Sequence, residues 1–323
     1  MKLKTTMSSS ELRAFTEYLQ KKDLALSSII RYRSDVELFF KRIKKEAIQV
    51  TKADILKHLE YLKKRKKQQN VTRKMHLISL NHYFTFLYEN EAINENPCLL
   101  LKIRGTKKKT LYKIFSLEQL EQLYDNYYQH FVRNYDDSHI KAHNRIHAKI
   151  SRERNAAILS LLLNQGTTTK ELDTLLLEDI DLIKATVKIR GGKKSNDRNL
   201  SLKAEQIGLF MHYLQNIRPQ LVEYSTIESE KLFLPLPQYS KKNTSKDNVM
   251  HIFKRLTEQV KSIEPTFLNF KQTRASVITY WLKTVGLRKT QYFAGHRYIS
   301  STENYLPNNL EGLTNDIAKL HPY

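Results

Sequence analysis

Two stretches near the C-terminus organise this chain: Phe270-Lys-Gln-Thr-Arg-Ala275 and Phe293-Ala-Gly-His-Arg-Tyr-Ile-Ser-Ser-Thr-Glu-Asn-Tyr305. Between them, apolar residues recur at helical spacing from Val277 to Val285, and the pattern stops at Gly286. The pattern predicts a buried helix that fixes the two stretches relative to each other. Three polar residues of different chemistry are thereby held in a set order: Arg274, His296 and Tyr305.

The three residue types suit attack on a phosphodiester. A tyrosine hydroxyl is a weak nucleophile at its free pKa of about 10, so it needs an electrophile whose negative oxygens have been neutralised. An arginine does this because its planar fork donates two hydrogen bonds to a phosphate and keeps its charge. A histidine donates to another phosphate oxygen or moves a proton. We therefore expect Tyr305, Arg274 and His296 to form one catalytic site.

The spacing within the second stretch is also informative. Gly295-His296 is followed nine positions later by Tyr305, with Ser301-Thr302 between them. This order, with Arg274 upstream, resembles the closing motif of the tyrosine recombinases, the phage-integrase-like family, which usually reads LGH, a short spacer, TT, two residues and Y. The family includes the integrases of mobile elements. The resemblance implies site-specific DNA recombination through a 3′-phosphotyrosyl intermediate, for integration or excision of such an element, with strands rejoined without ATP.

The composition agrees with a nucleic-acid partner. The 323 residues carry 55 Lys+Arg against 33 Asp+Glu, which gives a formal net charge of +22 at pH 7. Such an excess favours a polyanion through phosphate contacts and counterion release; a basic protein with merely solvated charged faces is the alternative. The charge is spread through both halves of the chain, so we expect double-stranded DNA, at a specific recombination site, as the partner.

Cysteine usage and hydropathy bear on the compartment. Cys98 is the one cysteine, which excludes an intramolecular disulfide and a cysteine-based zinc site, and its apolar surroundings place it in a core. No apolar run approaches the roughly eighteen residues of a membrane span, and the first residues lack the apolar segment of a signal peptide. We expect a cytoplasmic protein, associated with the nucleoid when bound to DNA, that makes no membrane contact.

Residues 1–102 are predicted to form a helical bundle. Amphipathic patterns begin near Ser8, Ser27, Thr51 and Val71, and Asn94-Glu-Asn-Pro97 interrupts the last. The bundle resembles the SAM-like core-binding domain of tyrosine recombinases, which implies contact with one side of the DNA. A basic corner points in too many directions for one helix face and is predicted to grip phosphates, with a solvated turn as the alternative. Its residues are Lys63, Lys64, Arg65, Lys66, Lys67, Arg73 and Lys74.

Residues 103–113 are predicted to be a basic interdomain linker, and residues 114–323 a second domain. Lys107, Lys108 and Lys109 suit a strap along a phosphate backbone. In the second domain, helical patterns accompany two segments, 185–190 and 199–202, that predict a small β-hairpin. The predicted fold class is mainly α with a small β-sheet: a four-helix SAM-like domain and a mixed α+β catalytic domain that form a clamp around DNA.

One position departs from the family pattern. The segment that begins at Gly166 usually reads GLRxSEL in tyrosine recombinases, and its arginine is the first of two that hold the scissile phosphate. Gly166, Glu171 and Leu172 keep the frame, but Thr168 stands at the arginine position. Losing one preorganised donor costs on the order of 3 to 4 kcal/mol. Either another cation has replaced it, or the chain is an inactive DNA-binding relative.

We favour replacement, because the other catalytic positions persist and one branch of conjugative-transposon integrases also lacks this arginine. Thr168 and Glu171 are kept as secondary site candidates. The residues considered as replacements are Lys170, Arg190, Lys194 and Arg198.

Two lysines complete the predicted site. Lys193 follows two glycines at the tip of the hairpin, where the resemblance places the general acid that protonates the leaving 5′ oxygen; Lys194 takes that role if the alignment slips by one. Lys271 stands three residues before Arg274, where the family usually has histidine. A lysine there also resembles the type IB topoisomerases, and its charge partly replaces the one missing at Thr168.

The remaining expectations concern ligands and partners. His139, His143 and His147 have the spacing of one helix face but lack a further ligand, so we expect a charged surface insertion, no metal site and no cofactor. An amphipathic pattern after Pro307 suits packing on a neighbouring subunit, which implies a homotetramer on DNA, with accessory DNA-bending proteins as further partners. The alternatives to a recombinase are an inactive accessory DNA-binding protein and a type IB-like topoisomerase.

Overall fold

A computed structural model of the chain describes residues 9–105, 112–192, 195–224, 229–236 and 249–306. Contacts divide the chain into two compact units, residues 1–110 and 111–323. Within the described ranges, no helix is both long and apolar enough to cross a membrane.

Unit 1, residues 1–110, is built on four helices, as the apolar periodicity predicts. Thr51 begins the third helix through a capping box with Asp54, which satisfies backbone N–H groups that lack a partner inside the helix. A short 3₁₀ turn, Ala47–Gln49, precedes this cap. The helices are α1 (Ser9–Lys21), α2 (Leu26–Ile43), α3 (Lys52–Lys64) and α4 (Asn70–Glu89).

Aromatic rings fill the core of unit 1. Phe15, Tyr83 and Phe84 are fully buried, and Phe15 meets Tyr83 edge to face with 5.2 Å between ring centroids. Such ring pairs contribute about 0.5 to 1.5 kcal/mol beyond the burial of their area. Cys98 packs against this core, as predicted, and burial raises the pKa of its thiol to about 12. It is therefore an unreactive packing residue.

His58 on α3 makes the stability of unit 1 sensitive to acid. Its ring is fully buried, accepts a hydrogen bond from Arg42 Nε at 3.1 Å and lies 6.1 Å from the ring of His76. Burial first, and then the charges of Arg42 and His76, lower the pKa of His58 to about 3. Asp35 faces His76 rather than His58, at 3.1 Å, and burial also lowers the pKa of His76. His58 is therefore neutral in the folded protein at neutral pH.

We expect unit 1 to lose stability as the pH falls from about 6.5 toward 3. Over this range the unfolded chain binds a proton at His58 that the folded chain does not bind, so protonation favours unfolding by on the order of 4 kcal/mol at the acid end. His58→Gln keeps an acceptor for Arg42 and removes the titration, so its unfolding free energy should depend less on pH. Urea unfolding at pH 7 and pH 4.5 measures the difference. The exposed His143→Gln is the control and should keep the wild-type pH dependence; an equal dependence in His58→Gln would refute the assignment.

Unit 2, residues 111–323, is helical around one small sheet. Helix α6 is its centre: Ala156 to Leu163 are almost fully buried, while the first half carries exposed polar residues such as His143. The apolar run after Arg154 predicts the second half of this helix, whereas the polar first half shows no apolar periodicity. The described helices are α5 (Leu117–Tyr127), α6 (Ala142–Asn164), α7 (Thr169–Thr174), α8 (Ala204–His212), α9 (Arg218–Tyr224), α10 (Val249–Ile263), α11 (Phe270–Ala294) and α12 (Ile299–Glu303), with π-helical turns at Tyr128–Arg133 and Tyr213–Ile217.

The sheet contains the predicted hairpin. Its antiparallel strands are β1 (Ile180–Asp181), β2 (Thr186–Ile189) and β3 (Arg198–Ser201), in the order β1-β2-β3. Ile189 pairs with Arg198, and both side chains lie on the buried face. The burial of the Arg198 side chain on this face of the sheet was not predicted from the sequence. The predicted fold class, mainly α with a small β-sheet, is confirmed.

Helix α11 is interrupted at Gly286, where the apolar pattern stops. Gly286 has φ +78° and ψ 174°, a backbone conformation that is essentially restricted to glycine. The first half of α11 carries Arg274, and the second half leads to His296. The break therefore sets the angle between two parts of the candidate site.

We expect Gly286→Ala to lower the stability of the protein by about 1 to 3 kcal/mol, because the added Cβ disfavours this conformation. Gly208→Ala, in α8, is a matched control. An added Cβ meets no atom within 4 Å at either glycine, but Gly208 has no left-handed φ. The control should therefore gain roughly 0.5 to 1 kcal/mol through helix propensity. Thermal melting separates the two, and a Gly286→Ala protein that melts at or above the wild-type temperature would contradict the prediction.

Candidate active site

Arg274 is held in one orientation at the start of α11. Asn269 begins this helix by accepting a hydrogen bond from the backbone N–H of Lys271. The Arg274 guanidinium donates to the backbone oxygens of Gly166, at 2.5 Å, and Ala294, at 2.7 Å. Burial lowers its pKa and the charge of Glu171 raises it, and the group stays protonated at neutral pH. Two carbonyls thus fix the fork and leave further N–H groups for a ligand.

His296 follows the end of α11 and turns toward Arg274. Gly295, with φ +69°, makes the left-handed turn that ends the helix. His296 Nδ1 lies 2.9 Å from Thr302 Oγ1, and Nε2 lies 3.4 Å from Arg274 Nη2. A guanidinium nitrogen only donates, so Nε2 is the acceptor and Nδ1 carries the hydrogen that faces Thr302. Thr302 is fully buried and thereby fixes the ring.

Tyr305 comes back onto His296 through the short helix α12. The backbone N–H of Tyr305 donates to the Thr302 oxygen at 2.9 Å. The phenol ring stacks on the His296 imidazole, with 5.8 Å between ring centroids and 15° between the ring planes. Hydrogen bonding with Tyr305 is also among the effects that raise the pKa of Arg274. The three residues singled out by the sequence therefore lie together.

Thr168, which the sequence predicts to stand at the position of the family arginine, is the N-cap of α7. Its backbone N–H and its hydroxyl donate to Glu171 Oε2 at 2.8 and 3.0 Å, and its Oγ1 accepts from the Glu171 N–H at 3.2 Å. This capping box explains why threonine fits here. Because the single hydroxyl hydrogen is already donated, Thr168 supplies no donor to a phosphate in this conformation.

Glu171 connects Thr168 to two arginines. Its Oε1 accepts from Arg198 Nη1 at 2.8 Å, and its Oε2 lies 3.8 Å from Arg274 Nη1. Burial alone would raise the pKa of the Glu171 carboxyl, but the hydrogen bond and charge of Arg198, with Arg274 and Thr168, lower it overall. Glu171 is therefore an ionised carboxylate beneath the site.

The β2–β3 hairpin contacts the segment around His296 through backbone atoms. Ser195 forms an isolated β-bridge with His296, and the Asn196 N–H donates to the Gly295 oxygen at 2.9 Å. A Cβ on Gly191 would lie 2.5 Å from the Ser195 oxygen, so the turn requires glycine there. The predicted general acid Lys193 and its alternative Lys194 lie outside the described residues.

The other cations predicted for the site differ in exposure and in their partners. Lys271 is exposed on the first turn of α11, and Lys170 is exposed on α7. Arg190 is bound by Asp179, at 3.0 Å, and by Glu178, at 2.5 Å. The Arg190 guanidinium is therefore paired with two carboxylates. Among the described replacement candidates, Arg198 is the one that contacts Glu171.

In unit 1 the predicted basic corner borders a cleft of about 410 Å³. Asn70 Nδ2 donates to the backbone oxygens of Arg104, at 2.9 Å, and Gly105, at 3.1 Å, which holds this segment against α4. Lys102 and Arg104 were not among the predicted contacts; Lys102 was assigned to the end of the bundle and Arg104 to the linker. The basic residues that line the cleft are Lys63, Lys64, Arg73, Lys102 and Arg104.

The rest of the predicted basic set lies elsewhere. Arg65, Lys66, Lys67 and Lys74 are exposed outside the cleft lining. The predicted strap, Lys107, Lys108 and Lys109, and the amphipathic segment after Pro307 are outside the described ranges.

The three histidines of the predicted insertion do not share a helix face. His139 lies in a turn before α6, where its Nε2 is 3.3 Å from the Tyr135 hydroxyl. His147 meets the ring of Tyr224 edge to face on α6, with 4.3 Å between centroids. No group of three or more potential metal ligands is found among the residues described.

The fold and the site together define a class of protein, in which a helical bundle is followed by a unit that brings an arginine, a histidine and a tyrosine together from α11 and the segments that follow α11 and α12. The profile of the "Phage integrase family" matches residues 137–311, and that of the "Phage integrase, N-terminal SAM-like domain" matches residues 12–91. The chain belongs to the phage integrase family.

Curated relatives match almost from end to end. The chain is 27% identical over 301 residues to "Tyrosine recombinase XerC" of Anoxybacillus flavithermus, covering 91% of this chain and 91% of the relative. It is 29% identical over 301 residues to "Tyrosine recombinase XerD" of Chlamydia trachomatis, covering 92% and 89%.

Solved structures with the same fold include proteins in complex with DNA. The XerH site-specific recombinase bound to palindromic difH substrate matches with a TM-score of 0.64 at 16% identity, covering 98% of this chain and 91% of that one. The Tn1549 transposon integrase in complex with a circular intermediate DNA matches with a TM-score of 0.62 at 14% identity, covering 91% and 94%. At these identities the likeness establishes the fold.

Proposed function

We propose that this protein is a site-specific DNA recombinase that cuts and rejoins strands through Tyr305. One observation carries the proposal: the phenol ring of Tyr305 stacks on the His296 imidazole, and Nε2 of that imidazole lies 3.4 Å from Arg274 Nη2. A nucleophile, a fixed cation and an imidazole thus surround one place where a phosphate can sit. Membership of the phage integrase family and the similarity to tyrosine recombinases support this class of reaction.

In the proposed reaction, the Tyr305 oxygen attacks the scissile phosphorus. A tyrosine O–P bond forms and the P–O5′ bond breaks; the phenol gives up its proton to water, and the 5′ oxygen takes a proton from Lys193. The resulting 3′-phosphotyrosyl link retains the phosphodiester bond energy. Attack by the 5′ hydroxyl of a partner strand reverses the step, so rejoining needs neither ATP nor an oxidant.

Arg274, His296 and Lys271 stabilise the negative charge of the pentacovalent phosphate in this proposal. The carbonyls of Gly166 and Ala294 already orient the arginine fork, so little reorganisation is required. Nε2 of His296 accepts from Arg274 in the free protein. It must carry a hydrogen to donate to a phosphate oxygen, and we therefore expect DNA binding to move a proton on this ring.

The basic cleft of unit 1 is the second DNA contact we propose. Five cations line it, and the one carboxylate of its lining, Glu60, is paired with Lys64 at 2.7 Å. Such a surface positions DNA through phosphates without reading sequence. We further propose that the two units clamp a duplex, that the protein works as a tetramer, and that it integrates or excises a mobile element.

Two other functions have specific observations behind them. An accessory DNA-binding protein without activity is favoured by Thr168, whose hydroxyl is engaged in a helix cap instead of binding phosphate. A type IB-like topoisomerase is favoured by the Lys271-x-x-Arg274 spacing on α11. Both alternatives share the DNA contact and differ in chemistry, so one set of substrates distinguishes all three.

The test begins with selection of bound duplexes from a random DNA pool, which supplies a target site. The site is then made with a nick near each possible cleavage position, so that a short fragment diffuses away after attack and the covalent complex accumulates. We expect a complex that survives boiling in detergent and disappears after protease treatment. Two copies of the site on one plasmid should then recombine.

The other outcomes decide between the alternatives. Tight binding without a covalent complex on any nicked site would overturn the recombinase proposal in favour of an accessory protein. A covalent complex with relaxation of supercoiled plasmid, but no exchange between two sites, would favour a topoisomerase.

A further inference from the structure

We infer that Arg198, on β3, supplies the second fixed positive charge of the phosphate site, in place of the arginine that the family has at Thr168. The inference rests on the proposed function. It assigns Arg198 as a positioning residue that acts through Glu171 and through its charge, without touching the DNA in the described conformation.

Arg198 and Thr168 bind the same carboxylate, that of Glu171. The Arg198 side chain is fully buried and donates from Nη1 to Glu171 Oε1 at 2.8 Å. The other oxygen of the same carboxylate receives both hydrogen bonds of Thr168. The Arg198 guanidinium and Thr168 are therefore separated by one carboxylate group. A charge that Thr168 lacks is present on the far side of Glu171.

The Arg198 guanidinium also packs against Gly295. A Cβ built on Gly295 would lie 2.5 Å from Arg198 Nη1, so the guanidinium packs directly beneath the residue that precedes His296. The Asn196 N–H also donates to the Gly295 oxygen. Arg198 is thus enclosed by the loop that carries His296 and by its own hairpin. It cannot leave without moving part of the site.

The hydrogen bonding of Arg198 is incomplete. Its Nε and Nη2 atoms are buried and have no hydrogen-bond partner in the structure. A buried cation with unsatisfied donors is costly unless an anion compensates it. Glu171 compensates the charge of Arg198 in part, but the same carboxylate also pairs with Arg274 at 3.8 Å. A phosphate bound at the site would bring the missing negative charge.

The charge balance explains why Arg198 matters for Arg274. Two arginines share one carboxylate in the described cluster, which leaves one net positive charge for the phosphate. Without Arg198, Glu171 would pair with Arg274 alone and neutralise it. Removing Arg198 is therefore expected to weaken the site twice, by loss of its own charge and by diversion of Arg274.

The test compares charge with packing in Arg198→Met and Arg198→Lys. On the nicked substrate we expect Arg198→Met to form the covalent complex roughly 10- to 100-fold more slowly than wild type, and Arg198→Lys to keep most of the rate. A scissile methylphosphonate, in which one non-bridging oxygen is a methyl group and the linkage is neutral, should largely remove the difference between Arg198→Met and wild type. A purely structural defect would persist on the neutral linkage, and that result would overturn the inference.

Arg152→Met is the matched control. Arg152 is also buried and has a buried Nε without a partner, but it lies on α6 twelve residues before that helix ends, about 18 Å along the axis. The Arg152 guanidinium lies over the Tyr135 ring, 3.6 Å from its centroid, so the same substitution should affect cleavage of the ordinary and the methylphosphonate linkage equally. Equal behaviour of the two methionine variants would contradict a specific role of Arg198.

Thr168→Arg keeps the inference testable even where Arg198→Met does not fold. This variant restores the family residue while Arg198 is present, so we expect little gain in cleavage rate because the charge is already supplied. A gain of about a hundredfold would show that the charge was missing, and would overturn the inference while leaving the proposed recombinase intact. Absence of a covalent complex in the wild type would instead refute the proposed function.

Discussion

Tyr305→Phe is expected to abolish the covalent protein–DNA complex while leaving DNA binding intact. The substitution removes one oxygen, the proposed nucleophile, and keeps the ring that stacks on His296. No other hydroxyl occupies its place in the described cluster, because the Thr168 hydroxyl caps α7 and the Thr302 hydroxyl faces His296. We therefore expect the cleavage rate to fall below detection. A nicked substrate and a gel-shift titration measure chemistry and binding separately.

Tyr298→Phe is the matched control for this change. Tyr298 lies seven residues earlier in the same segment and is 68% exposed. Its hydroxyl should make no contribution to strand cleavage, so the covalent complex should form at the wild-type rate. A Tyr305→Phe protein that still forms the complex would place the nucleophile elsewhere, and a Tyr298→Phe protein that forms none would point to Tyr298 as the nucleophile.

Arg274→Met is expected to reduce strand cleavage about a thousandfold. The side chain that is lost donates to the Gly166 and Ala294 carbonyls and lies 3.4 Å from Nε2 of His296, on whose ring Tyr305 stacks. Arg274→Lys keeps the charge but cannot bridge the two carbonyls and bind a phosphate at once, so we expect it to lose most of the activity as well. Single-turnover cleavage of the nicked substrate measures both variants.

The control for Arg274 is Arg288→Met on the other half of the same helix. Arg288 is exposed beyond the Gly286 break and faces Gln291. It should retain wild-type cleavage. Thermal melting accompanies the comparison, since loss of the two carbonyl contacts also costs stability, roughly 1 to 3 kcal/mol. Cleavage by Arg274→Met within a few-fold of wild type would remove the guanidinium from the proposed mechanism.

Local sequence signals predicted much of the fold. Signals that act over a few residues can be recognised directly in the sequence. They include the apolar spacing of α1 to α4, the cap at Thr51 and the alternation of β2. Strand β1, with two residues, is too short to produce a pattern. The first half of α6 is polar and therefore gives no periodicity, although packing of the second half extends the helix through it.

The candidate site was predictable in its residues but not in its support. Motif spacing singled out Arg274, His296 and Tyr305, and the fold brings them together. The burial of Arg198 could not be read from the sequence, because an arginine in a basic hairpin suggests an exposed position. Its side chain is inward because Arg198 pairs with Ile189 in the register of β2 and β3. The one local trace of it in the sequence is the glycine before His296, which leaves space for a guanidinium.

Mapping of the covalent bond shows which side chain attacks the DNA. Wild-type protein is trapped on a nicked duplex of the selected site, digested with protease and nuclease, and the nucleotide-bearing peptide is sequenced by tandem mass spectrometry. We expect a nucleotide joined through its 3′ phosphate to the oxygen of Tyr305. A nucleotide on any other side chain, or a link through a 5′ phosphate, would contradict it.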